Sequence, residues 1–102
     1  MAPQTNETPV LDLLASMTAD SIVVSSLDPD ELMLVRIAAL AAVDAPSVSY
    51  LTNLEAIASV GIDVERVRGV LAAVAPIVGT ARIASATVKI AEALDVALEE
   101  VS

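Results

Sequence analysis

From Leu32 to Val43 every residue is apolar except Arg36. Just ahead stands Asp28-Pro29-Asp30-Glu31, which reads as a helix start. Asp28 can cap, Pro29 fits the first turn, and Glu31 sits three residues after the cap, as in a capping box. The early acids also suit the positive end of the helix dipole. A helix that is apolar all round is buried on most of its sides. That is hard to arrange in a chain of 102 residues, which is expected to form one domain and buries a limited fraction of its surface alone. Hydrophobic residues make up 56% of it, more than a lone small domain easily hides. Subunit association is the expected remedy. Tyr50 is the single aromatic residue, so the core has to be built from Ala, Val, Leu and Ile, which suits close helix–helix packing.

The rest of the chain punctuates itself as helix after helix. Met1–Thr8 is polar and reads as a mobile tail, leaving residues 9–102 as a single helical domain. Thr8-Pro9 reads as an N-cap followed by proline in the first turn. Val10, Leu13, Leu14 and Met17 follow at helical spacing. Thr18–Ser26 carries the strand-prone Ile22-Val23-Val24, but no second strand could pair with it, so a loop or short helical turn is expected. Pro46 opens a third helix with an apolar face of Val48, Leu51, Leu54, Ile57 and Ala58, and Gly61 ends it as a left-handed cap. Asp63 caps a fourth helix whose Val64, Val67, Leu71, Val74 and Val78 form a packing seam. Pro76 and Gly79 are expected to break it. Thr80 caps the last helix, with one stripe of Ile83, Ile90, Leu94, Ala97 and Val101 beside Ala84, Val88 and Ala91. Gly69, inside the fourth helix, costs roughly 1 kcal/mol relative to Ala; close approach of a neighbouring helix is the expected compensation. The fold class is therefore all-α, a compact bundle of about five to six helices that forms oligomers.

Composition removes several chemistries. There is no Cys and no His, so disulfides, thiol nucleophiles, imidazole bases and Cys/His zinc sites are excluded. The net charge is −9, and an acidic surface repels phosphate, so neither nucleic acid nor an anionic membrane is an expected partner. The start has no basic and apolar signal pattern, and no apolar run approaches the ~20 residues needed to span a bilayer. A cytoplasmic protein without a cofactor or metal is expected. Asp28, Asp30 and Glu31 are the nearest thing to a metal cluster, and capping accounts for them.

The stretch Leu27–Leu94 resembles the carboxymuconolactone decarboxylase family. The resemblance lies in Leu27-Asp28-Pro29-Asp30-Glu31-Leu32, in Leu34-Val35-Arg36-Ile37-Ala38-Ala39-Leu40, in Gly61-Ile62-Asp63-Val64-Glu65, and in Ala75-Pro76-Ile77-Val78-Gly79-Thr80-Ala81-Arg82 with the Ala-rich helix after it. These pieces stand in the family's order over about two thirds of the chain. The resemblance implies an alkylhydroperoxidase-like helical fold assembled into trimers or hexamers, with sites between helices near subunit contacts. It does not bring the family's chemistry. The decarboxylase branch usually carries a His where this chain has Asn53, a Glu where it has Gly69, and a Tyr where it has Ile77. The peroxide-reducing branch carries a Cys-x-x-Cys pair where this chain has Pro46 and Ser49, and a Glu where it has Leu34. Asn53 is no base near neutral pH, Gly69 and Ile77 hold no transferable proton, and Pro46 and Ser49 form no redox pair. Ala45-Pro46 with Ser49-Tyr50, together with Pro76-x-Val78-Gly79-Thr80-Ala81-Arg82, is typical of a branch that lacks the His.

The candidate ligand pocket consists of Ser49, Tyr50, Asn53, Arg36 and Arg82. Ser49, Tyr50 and Asn53 share or flank one helix face, either lining a pocket or tying two helices together. Arg36 either anchors an anionic ligand or pairs with a carboxylate within or between subunits, since an unpaired buried guanidinium is costly. Arg82, in the first turn of the last helix, either holds an anion with the backbone N–H groups there or, as is more usual for such a residue, is solvated or salt-bridged. Three functions compete on this basis. The first is an oligomeric binding module for a small anionic molecule or a protein. The second is an enzyme with relocated chemistry on a small carboxylate or lactone, using Arg36 or Arg82 with Glu55 as acid/base. The third is a structural accessory subunit.

Overall fold

The computed structural model describes residues 7–59, 61 and 63–101, with side chains over 7–58, 61 and 63–95. Most of the expected mobile tail therefore lies outside the described residues. Five α-helices and no strand are present among the described residues: α1 Pro9–Val24, α2 Pro29–Ala42, α3 Ser47–Ser59, α4 Val64–Val78 and α5 Thr80–Val101. Among the described residues no helix is long and apolar enough to cross a membrane.

The starts and stops are made by the residues that announce them. Glu31 accepts a hydrogen bond from the Asp28 backbone N–H at 3.2 Å, in a capping box that opens α2. Asp63 accepts from the Arg66 N–H at 3.0 Å and opens α4. Gly61 ends α3 at φ +81°, and Gly79 separates α4 from α5 at φ +97°, conformations that cost glycine little. The Gly79 carbonyl already accepts from the Ile83 N–H at 3.1 Å, so Gly79 stands at the start of α5 ahead of Thr80. Pro76 does not break α4, which runs through it to Val78. Lying in the last turn, its missing N–H forfeits one hydrogen bond and leaves the rest of the ladder intact.

The core is one aliphatic cluster around a lone aromatic ring. Leu32, Met33, Ile37 and Ala41 of α2 meet Tyr50, Leu54 and Ile57 of α3, Val67 and Leu71 of α4, and Ala86, Ile90 and Ala93 of α5. The main packing pairs are α3 with α5 and α2 with α4 and α3. Within the chain α2 is buried on one side only, because Val35, Ala39 and Val43 stay exposed. They recur every four residues and so share a stripe. Similar remainders occur elsewhere. Val48 and Ala58 of α3 are exposed, as are Ala84, Val88 and Ala91 of α5, while the side chains of Ala97 and Val101 lie outside the described residues. Gly69 is another correction. A Cβ built on it meets nothing within 4 Å, so no helix of the same chain packs closely there.

The larger correction concerns α1. Where a loop or short helical turn is expected at Thr18–Ser26, α1 runs on without a break as far as Val24. Strand propensity is a weak prior without a partner strand, and the hydroxyls here find acceptors on the helix itself, so they oppose it only slightly. Thr18 Oγ1 donates to the Leu14 carbonyl at 2.9 Å, and Ser21 Oγ to the Thr18 carbonyl at 3.1 Å. None of the sixteen residues of α1 is buried.

Candidate functional site

A groove of about 500 Å³ lies where α1 stands beside α2 and α3. From α1 it is lined by Met17, Thr18, Ser21 and Ile22. Met33, Arg36, Ala39 and Leu40 form the α2 wall, and Thr52, Asn53 and Ala56 the α3 wall. Arg36 is the one charged residue among them. Its guanidinium donates through Nη2 to the Thr18 carbonyl at 3.3 Å and to the Ser21 hydroxyl. These bonds are the described polar link between α1 and the bundle. The within-chain carboxylate expected beside Arg36 is absent among the described residues, and α1 supplies neutral oxygens in its place. A planar guanidinium carries five N–H donors, so two such bonds through one nitrogen do not exhaust it.

Asn53 faces the same groove from α3, one helix away. Its Nδ2 donates to the Ser49 carbonyl at 2.8 Å, and Thr52 Oγ1 likewise bonds back to the Val48 carbonyl at 3.1 Å. Ser49 thus holds the amide through its backbone and is not itself part of the lining. Two of the five expected pocket residues, Arg36 and Asn53, are brought together. Tyr50 points the other way. It is fully buried in the core and its hydroxyl has no hydrogen-bond partner. Burial, and after it the negative charge of Asp44, pushes its pKa above 10.0.

Arg82 is far from the groove in role as well as lining. It donates to the Ala42 carbonyl at the end of α2, where a cation suits the negative end of the helix dipole. Around the α2–α3 turn, Asp44 accepts from Ser85 Oγ at 2.8 Å and from Lys89 Nζ at 3.0 Å, and Ser47 Oγ donates to Glu92 at 2.8 Å. The Ser85 hydrogen bond first, and then Lys89, hold the Asp44 carboxyl below the ordinary value of 3.8. This corner fastens α2 and α3 to α5 and has the character of a structural clamp. Glu55 is exposed on α3 and does not line the groove, so the acid/base expected of it is not brought to Arg36.

The acidic group at the start of α2 is committed elsewhere. Carboxylate oxygens of Asp28, Asp30 and Glu31 lie within 4.8 Å of one another. Glu31 serves the capping box, and Asp30 meets Arg66 at 3.2 Å. The Glu31 backbone N–H first, and then Arg66, lower the Asp30 pKa below 3.8.

Sequence reasoning missed the α1 wall altogether. Thr18 and Ser21, three residues apart, fall on one face of a helix, and that spacing was the available signal once the helix was continued past Met17. Set against family models, curated proteins and solved structures, the chain matches none of them.

Proposed function

We propose that this chain is a binding module related in architecture to the carboxymuconolactone decarboxylases, working as a homo-oligomer, that holds a small apolar carboxylate in the groove between α1, α2 and α3. The observation that carries this reading is the groove itself, an apolar trough with one guanidinium and no acid among its lining residues. Carboxylate recognition by a guanidinium is strong and geometrically selective. The apolar walls from Met17, Ile22, Met33 and Leu40 suit a hydrocarbon portion, and Asn53 adds a neutral polar contact. The resemblance in sequence supports the all-helical architecture and the assembly, and the residues at Asn53, Gly69 and Ile77 argue against the family's proton transfers.

Calorimetric titration with a medium-chain fatty carboxylate and with the alcohol of equal length tests this. The carboxylate is expected to bind at least about tenfold tighter, worth ~1.4 kcal/mol. Arg36→Met is expected to abolish that preference and Arg36→Lys to keep part of it. Equal binding of acid and alcohol, or a preference that survives in Arg36→Met, would show the reading to be wrong. The same preparation is expected to show no lactone decarboxylation and no disulfide-coupled peroxide reduction. Turnover that copurifies with the protein and disappears in Asn53→Ala would restore an enzymatic role.

A further inference from the structure

Helix α1 engages Arg36 through the nitrogen that a carboxylate needs most. A guanidinium offers a carboxylate two open edges, Nη1 with Nη2 and Nη2 with Nε, while the third side is closed by its own side chain. Nη2 belongs to both edges. It is also the atom that donates to the Thr18 carbonyl at 3.3 Å and to the Ser21 hydroxyl. These two oxygens stand 3.1 Å apart, because the Ser21 hydroxyl itself donates to the Thr18 carbonyl. The helix thus brings Arg36 a pair of neutral oxygens at the place where a bidentate ligand brings a charged pair. Nε and Nη1 remain, but they lie on different edges and offer a ligand single hydrogen bonds without a fork.

We infer that α1 is a latch on the groove: Thr18 and Ser21 hold Arg36 until a bidentate carboxylate takes Nη2 from them and frees α1 from the bundle. This rests on the carboxylate reading of the groove above and adds its regulation. The relative strengths of the two partners favour the exchange. An ionised oxygen attracts the guanidinium as a full charge, whereas a carbonyl or hydroxyl attracts it only as a dipole. A carboxylate therefore displaces the α1 oxygens, and an alcohol of equal length does not. The rest of the chain holds α1 weakly. None of its residues is buried, and it takes part in none of the main packing pairs of the bundle. Met17 and Ile22, which line the groove, are still 56% and 48% exposed. Residues 25–28, which join α1 to α2, are not helical, so the connection is free to bend.

The latch and the ligand are then coupled through one nitrogen, and the coupling is reciprocal. Whatever weakens the bond from Arg36 to α1 strengthens carboxylate binding, and whatever fastens α1 to the bundle weakens it. A fixed wall behaves in the opposite way. If α1 served only to complete the groove, removing its bond to Arg36 would loosen the site and weaken an acid and an alcohol alike. The sign of the effect separates the two roles.

Two measurements on the full chain test this, with octanoate and octanol as probes. In calorimetric titration Ser21→Ala is expected to bind octanoate at least about threefold tighter than the native chain, the weight of part of one hydrogen bond, with octanol binding unchanged. The second measurement reads the position of α1 directly. The chain has no Cys, so spin labels can be placed at Ser16→Cys on α1 and Glu55→Cys on α3, both exposed and outside the groove lining. The labelled chain is diluted into unlabelled protein, so that only distances within one chain are read. Saturating octanoate is expected to lengthen and broaden the distance, and octanol to leave it as it is. Arg36→Met is expected to give the broadened distance without any ligand. Octanoate binding that is unchanged or weaker in Ser21→Ala, or a distance that stays narrow both with octanoate and in Arg36→Met, would overturn the latch and leave the carboxylate reading standing. Equal binding of octanoate and octanol by the native chain would overturn both.

Discussion

Tyr50 shows how one residue can be held by packing against its own polarity. The ring is the sole aromatic in the chain and is wholly buried, yet its hydroxyl has no partner. An unmade buried hydrogen bond costs ~1–3 kcal/mol. Tyr50→Phe is therefore expected to leave stability unchanged or raise it by about 1 kcal/mol, read from urea unfolding midpoints. A clear loss would mean that the hydroxyl is bonded in the assembled protein. The same burial raises the Tyr50 pKa above 10.0. The neutral phenol is thus favoured in the folded state. Its contribution is whole below pH 10.0 and is lost as pH rises through the raised folded value. Comparing alkaline unfolding of the native chain with Tyr50→Phe isolates this loss. Asp44 has the opposite sign. It adopts φ +53°, tolerable for Asp or Asn, and its pKa is lowered. Its contribution is present above pH 3.8 and is lost as pH falls through the lowered folded value. Asp44→Asn is expected to give a shallower acid-unfolding limb, measured by circular dichroism. At this scale Arg36 was legible as the lone charge in an apolar run. The neutral character of its partners was not, since only packing shows which helix comes to meet it.

At the scale of the helices, the strongest local signals were caps and glycines. Asp28 with Glu31, Asp63, Gly61 and Gly79 all mark real boundaries, because each satisfies orphan backbone groups or permits a turn within a few residues of sequence. The end of α1 was illegible for the converse reason. Thr18–Val24 has no strong stop signal, and the backbone ladder runs on through it until the Ser25 N–H donates to the Ser21 carbonyl at 3.0 Å. Gly69 makes a sharp test of what surrounds α4. In the single chain a Cβ there meets open space, so Gly69→Ala is expected to stabilise by about 1 kcal/mol through helix propensity and a less flexible unfolded chain. Thermal unfolding measures it. A destabilised or dissociated variant would instead reveal a neighbouring subunit packed at that position.

For the molecule as a whole, apolar surface exceeds what its own fold covers. Exposed stripes remain on α1, on α2 at Val35, Ala39 and Val43, and on α5 at Val88. A protein stabilised by association is expected to show a thermal midpoint that rises with concentration, and scanning calorimetry over a dilution series checks this. Val88 is 58% exposed within the chain, so Val88→Asp costs the single subunit little. Leu94 is packed against the core cluster, so Leu94→Asp is expected to destabilise the subunit itself. If α5 lies in an interface, Val88→Asp is expected to dissociate the assembly while the subunit keeps its helical signal, separating two effects that composition alone would have joined.

What the sequence determined by itself was the class of structure and the chemistry denied to it. Proline and acid starts, glycine stops and three-and-four apolar spacing specify helices locally, and the absence of Cys and His removes thiol and imidazole reactions whatever the fold. Tertiary structure alone decided which of five candidate residues share a site. Arg36 and Asn53 lie seventeen residues apart on different helices, and only the packing of α2 against α3 brings them to one groove. The same packing buries Tyr50 in the core and engages Arg82 with the end of α2. Helical spacing fixes a side chain's direction relative to its own helix axis, whereas its neighbours depend on how the helices are rotated and crossed against one another, and that is set by the sum of many small contacts distributed over the whole chain.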